Sequence, residues 1–115
     1  MSDPTFLPAV TMARQIREKK ISPVELAEIH LAKIERLNPK LNAFVHVNPE
    51  HVLREARAAE AAVADGGLLG PLHGVPISIK SSLEVAGLRC ESGTRLRAGF
   101  VASRDAPLVQ RLRGQ

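Results

Sequence analysis

The sequence predicts an α/β protein in which N-terminal helices are followed by the first strands of a mixed sheet. Three observations carry that expectation. Helical periodicity recurs along the chain, proline-containing cap signals stand before several of the periodic runs, and residues 75–80 alternate in the manner of a strand. No hairpin signal joins the β-rich stretches, so a parallel or mixed arrangement is expected rather than a meander. Two or three strands make a poor sheet on their own, and the chain reads as unfinished.

The first helix is expected over residues 8–20, with Pro8 in its first turn and Val10, Ala13 and Ile16 on one face. "SPVE" (22–25) is a strong start signal for the second: Ser22 caps, Pro23 fits the first helical position, and Glu25 completes a capping box. Val24, Ala27, Leu31 and Ile34 form its stripe, widened by Leu26. The helix is expected to stop before Asn38-Pro39, because a residue preceding proline is pushed out of the helical region. "LNAFVHV" (41–47) reads as a short strand or extended connector. Asn48 and Pro49 repeat the cap pattern and open a third helix striped by Val52, Ala56, Ala59 and Val63. Gly66-Gly67 ends it. Residues 75–80 form a buried strand, "AGLRCESG" a turn with a short extended piece, and residues 105–113 a fourth helix. Asp105 is its expected N-cap, and Leu108 and Leu112 are paired at i and i+4.

Composition narrows the function classes. The 115 residues are 44% hydrophobic, enough for a core. Phe6, Phe44 and Phe100 are the only aromatics, so stacking platforms for single-stranded nucleic acid are absent. A net charge of +4, from 16 basic and 12 acidic residues, is dispersed rather than gathered into a phosphate-binding face. Cys90 is the sole cysteine, which excludes an intrachain disulfide and fits a reducing compartment. No apolar stretch approaches the ~18 residues of a membrane span. The N-terminus, with an early acid and two prolines, does not follow the signal-peptide pattern. A soluble cytoplasmic protein is expected, with no contact to a membrane.

The stretch "GPLHGVPISIK" (70–80) raises the chemical question. In a strand, Val75, Ile77 and Ile79 share one face while Ser78 and Lys80 share the other. A lysine so placed either snorkels to water or loses its proton to dry surroundings, and a neutral amine is a competent general base. From this stretch alone a strand end meeting solvent is favoured over a catalytic base. The other sites are plainer. His30, His46, His51 and His73 are scattered without metal-ligand spacing, and His73 is expected to face water from a turn. Cys90 is expected to be a half-buried, inert thiol. "GGLLG" (66–70) lacks the lysine-serine ending of a phosphate loop.

The block "GPLHGVPISIK", followed by "AGLRCESGTRL" and "SRDAPLVQRLR", resembles the amidase signature family, with its ordered runs G-P-L-x-G-V-P-x-x-x-K, G-x-x-x-x-x-G-S/T and D-A-x-x-V-x-R-L. Upstream, "ISPVELAEIHLAKIERLNPKLNAFV" is similar to that family's paired N-terminal helices and their connector. The resemblance spans roughly residues 8–113. It implies that residues 1–115 are the N-terminal part of one amidase domain. That part would be helical over 8–65, a strand-and-loop region holding the lysine over 70–104, and a helix over 105–113.

The resemblance further implies hydrolysis or transfer of carboxylic amides by a serine, a second serine with a cis peptide bond, and a lysine, without metal or organic cofactor. The lysine corresponds to Lys80, with Gly70, Gly74 and Pro76 shaping the approach and Gly93 at the later glycine position. The substrate is then a small amide, with nucleic acid involved only indirectly, as in a component of a transfer-RNA amidotransferase. This chain departs from the family at three points. Ser81 and Ser82 follow the lysine where aspartate is common, Thr94 replaces a serine, and the Gly/Ser-rich run that supplies both serines has no counterpart before Gln115. A serine-lysine pair built from Ser78 or Ser82 is disfavoured, because side chains two apart on a strand run parallel. The rival reading is a non-enzymatic, basic helical module that binds a partner protein or nucleic acid; the apolar strand serves no phosphate contact in it.

Overall fold

A computed structural model describes residues 3–115. They hold four α-helices: α1 (Ala9–Arg17), α2 (Pro23–Leu41), α3 (Pro49–Asp65) and α4 (Pro107–Arg113). Short 3-10 turns lie at Pro4–Phe6 and Arg95–Arg97. The chain divides into two compact units, residues 1–76 and residues 77–115.

The first unit is helical. Ser22 caps α2 as its sequence requires: its Oγ accepts the Glu25 amide at 3.0 Å, and the Glu25 carboxylate accepts the Ser22 amide at 2.9 Å. Asn48 caps α3 by accepting the His51 amide at 3.0 Å, and Gly66, at φ 72°, ends it. Ile16 and Leu26 are fully buried, and with Met12 they form a core against which Leu7, Ile21, Val63 and Val75 pack. Leu26, expected only to widen a stripe, is therefore at its centre. Val10 is 68% exposed; Met12, Ala13 and Ile16 make the buried face of α1 instead.

The expected stop before Pro39 is corrected. α2 runs through Pro39 to Leu41 and is capped by Asn42 in the left-handed conformation at φ 53°. The Asn38 side chain explains how the last turn survives the proline. Its amide nitrogen donates to the Phe44 carbonyl at 2.9 Å, and its oxygen accepts the Phe44 amide at 2.8 Å. The connector after α2 is thus tied back to the helix end, which offsets the backbone bond that proline cannot make. Residues 42–48 form an irregular connector rather than a strand.

No named strand forms among the described residues. The run 75–80 has no regular secondary structure and joins no ladder, Ile77 is 58% exposed, and Ser78 and Lys80 are exposed as well. The buried strand expected there is corrected to an unpaired segment without regular secondary structure. A strand needs a neighbour for its N–H and C=O groups, and these residues supply none beside it. What β-structure exists lies in the second unit, as one antiparallel bridge between Arg89 and Val101. Around it the Cys90 amide donates to the Phe100 carbonyl, and the Ala102 amide to the Leu88 carbonyl, both at 3.0 Å.

α4 is shorter than expected, and its N-cap is Ala106 rather than Asp105. Asp105 is engaged elsewhere: Oδ1 accepts the Ala86 amide at 2.8 Å and Oδ2 accepts Arg113 Nε at 2.6 Å. Val109 is the buried residue of α4, while Leu108 and Leu112, the expected pair, are exposed. A helix of two turns buries one narrow stripe, here the one that carries Val109.

Candidate active site

The turn before the lysine segment is seated on all three helices of the first unit. Gly70–Gly74 closes with His73 N–H donating to the Gly70 carbonyl at 3.2 Å. Arg17, at the end of α1, donates to the Pro71 carbonyl at 3.3 Å. His73 donates from Nε2 to the Ala59 carbonyl of α3 at 2.8 Å, which assigns the proton to that nitrogen. The expectation that His73 faces water is corrected: it is half-buried and ties the turn to a helix. Gly74 adopts φ 81°, and a Cβ built there would lie 3.0 Å from Pro23 Cγ and 3.1 Å from Ile16 Cδ1. Only glycine meets both demands, the left-handed backbone and the close approach.

In the second unit Lys80 opens a turn. The Leu83 amide donates to the Lys80 carbonyl at 2.9 Å, with Ser81 and Ser82 between them. The Ser81 carbonyl accepts from two groups, the Ser92 amide and the Cys90 thiol, each at 3.1 Å. Cys90 is 1% exposed, more deeply buried than the half-buried thiol expected. Ser92 and Gly93 both have positive φ, 51° and 68°, and the Thr94 amide donates back to the Glu91 carbonyl at 3.0 Å. Positive φ at both central residues is the mark of a type I′ turn. Thr94 then caps the 3-10 turn by accepting the Leu96 amide at 3.3 Å.

The Lys80 side chain is exposed, so the dry, small-residue surroundings expected for a base are not built by the described residues. A cleft of about 510 Å³ lies in the same unit, lined by Ser82, Ser92, Arg97, Arg104 and Gln110 among others, and Lys80 is not in its wall. Ser82 and Ser78 are both exposed. Sequence reasoning missed the bonding of the Ser81 carbonyl to Cys90 and Ser92. The Ser-Gly pair at 92–93 signals a turn, but nothing local indicates which carbonyl that turn would meet.

Two of the remaining histidines are engaged locally. His30 donates from Nδ1 to the Leu26 carbonyl at 2.8 Å, and His51 stands 3.3 Å from Glu55. Among the described residues no three His, Cys, Asp or Glu side chains are grouped to hold a metal, and no helix is long and apolar enough to cross a membrane.

The amidase family model matches residues 25–115. The A subunit of the glutamyl-tRNA(Gln) amidotransferase of Thiobacillus denitrificans is 44% identical over 100 residues, covering 87% of this chain and 20% of that protein. The indoleacetamide hydrolase of Bradyrhizobium diazoefficiens is 41% identical over 105 residues, covering 91% and 20%. A solved structure of a vestigial protein complex, tied to the evolutionary origins of an s-triazine catabolic enzyme, matches with a TM-score of 0.87 at 30% identity. It covers 94% of this chain and 24% of that one. The chain belongs to the amidase family, and it spans about a fifth of the length of the curated relatives it matches.

Proposed function

We propose that this chain acts as the N-terminal part of a single amidase domain and supplies the general base, Lys80, for cleavage of carboxylic amide C–N bonds. One observation carries the reading: the block "GPLHGVPISIK" ends on a lysine whose carbonyl closes a turn, and its glycine turn is fixed on three helices. In this reading the Lys80 amine takes a proton through a bridging serine from the nucleophilic serine. The serine oxygen attacks the amide carbonyl, and the C–N bond of the tetrahedral intermediate breaks as the leaving nitrogen receives the proton. The acyl group then passes to water or to another acceptor.

Both serines, the oxyanion donors and the walls that would enclose Lys80 belong in this reading to amidase sequence beyond these residues, together with the strands that would pair with 75–80 in a mixed sheet. The 115 residues alone are expected to show no turnover, because a base without an activated nucleophile forms no tetrahedral intermediate. The free thiol of Cys90 suits a reducing compartment, and the reading places the enzyme in the cytoplasm. Relatives named for amide transfer and for amide hydrolysis match this chain almost equally, and the cleavage step proposed is common to both.

The test is release of ammonia from primary amides, glutamine and an arylacetamide among them, by the complete amidase chain carrying these residues. Turnover that disappears in Lys80→Ala supports the reading. Turnover by the 115-residue chain itself, abolished by the same substitution, would contradict the division of labour and return the nucleophile to Ser78 or Ser82.

A further inference from the structure

The common aspartate after the lysine is replaced here by Ser81, and the structure shows a different device at that position. It is the backbone carbonyl of Ser81, not a side chain, that is held. A carbonyl oxygen has two lone pairs, and here both are used: Cys90 Sγ and the Ser92 amide each donate at 3.1 Å. The donors are themselves fixed. Cys90 is buried, its amide donates to the Phe100 carbonyl at 3.0 Å, and its carbonyl accepts Arg97 Nε at 3.2 Å. The Arg97 guanidinium in turn lies 4.3 Å from the centre of the Phe100 ring. Ser92 is kept at φ 51°, a conformation few residues other than glycine adopt. In that conformation its N–H reaches the Ser81 oxygen.

We propose that Cys90 is a positioning residue for Lys80: its thiol and the Ser92 amide clamp the Ser81 carbonyl and so fix the backbone from which the lysine projects. The assignment rests on the reading of Lys80 as the base. Nucleophile, bridging group and base must align within fractions of an ångström, and a base on an unclamped turn would sample many misaligned positions. A serine at position 90 keeps a short side chain with a donor; an alanine keeps neither sulfur nor donor.

The experiment compares Cys90→Ala and Cys90→Ser in the complete amidase chain, with Lys80→Ala alongside. Cys90→Ala should lower kcat on the order of tenfold with KM nearly unchanged, because the base acts in the chemical step. Cys90→Ser should recover most of that loss. Wild-type kcat in Cys90→Ala, or equal losses in both variants, overturns the proposal. Should Cys90→Ala fail to fold, amide exchange in the unsubstituted protein decides. A protected Ser92 N–H is expected, and one that exchanges at the free rate overturns the clamp. Activity retained in Lys80→Ala would instead remove the base, a result distinct from any outcome at Cys90.

Discussion

Gly74 shows how one residue can be committed twice. Its φ of 81° is strained for any side chain, and an added methyl group would crowd Pro23 and Ile16 so that they must shift by a few tenths of an ångström. Gly66 shares the first constraint, at φ 72°, but has nothing within 4 Å of an added Cβ. Gly74→Ala should therefore destabilise the first unit by roughly 2–4 kcal/mol, and Gly66→Ala by about 1–2 kcal/mol. Denaturant unfolding of the two variants checks the ordering; equal losses would show that the turn is not seated on the helices.

Asp3 contributes to the pH dependence. Its carboxylate accepts the Thr5 hydroxyl at 2.7 Å, and Lys33 Nζ lies 2.9 Å away and also 3.7 Å from the centre of the Phe6 ring. The Thr5 hydroxyl first, and the Lys33 ammonium second, hold this carboxyl well below the usual carboxylate range. A depressed folded value favours the folded state while the group is ionised. Its contribution is therefore complete above the unfolded value of ~3.9 and is lost as pH falls below it. The melting-temperature advantage of the unsubstituted protein over Asp3→Asn should shrink between about pH 5 and pH 2. A constant difference across that window would sever Asp3 from Lys33.

At the scale of elements, legibility follows locality. The start of α2 was legible because Ser22, Pro23 and Glu25 act on one another within a single turn. Ser22→Ala should cost about 1 kcal/mol and Ser22→Gly only a few tenths, measured as loss of unfolding free energy; identical losses would mean the hydroxyl bond contributes nothing. The end of α2 was misread because its anchor is a pair of bonds between Asn38 and Phe44, which no proline rule contains. Asp105 looked like a helix cap and was recruited by Ala86 and Arg113 instead, a tertiary choice invisible in a window of four residues. The alternation in 75–80 suggested a buried strand, but a linear pattern could not supply the neighbour that a strand needs to pair with. His73 was misread for a related reason: its acceptor, the Ala59 carbonyl, lies 14 residues away.

For the molecule as a whole, the helical unit and the unit containing Lys80 are built on different physics. The described residues of the first unit rest on helix ladders and an apolar core around Ile16 and Leu26, while residues 77–115 rest on turns, one antiparallel bridge and side-chain bonds to backbone. The family blocks made the family legible by their order and spacing, which persist in a chain where strand pairing does not. The surroundings of Lys80 were not legible, because a linear pattern gives no account of which walls enclose a side chain.

The proposed chemistry depends on Lys80 as a proton acceptor, and Lys80→Arg in the complete amidase chain tests that most directly. Arginine preserves the positive charge and nearly the length, so a lysine that merely pairs with substrate would be replaced in part. A guanidinium, with a pKa above ~12, keeps its proton in a protein and is no base. The predicted result is a folded enzyme whose kcat for amide cleavage falls as far as in Lys80→Ala. A folded Lys80→Arg enzyme that retains a large share of the unsubstituted kcat would contradict it, and Lys80 would then be only the place where the segment meets water.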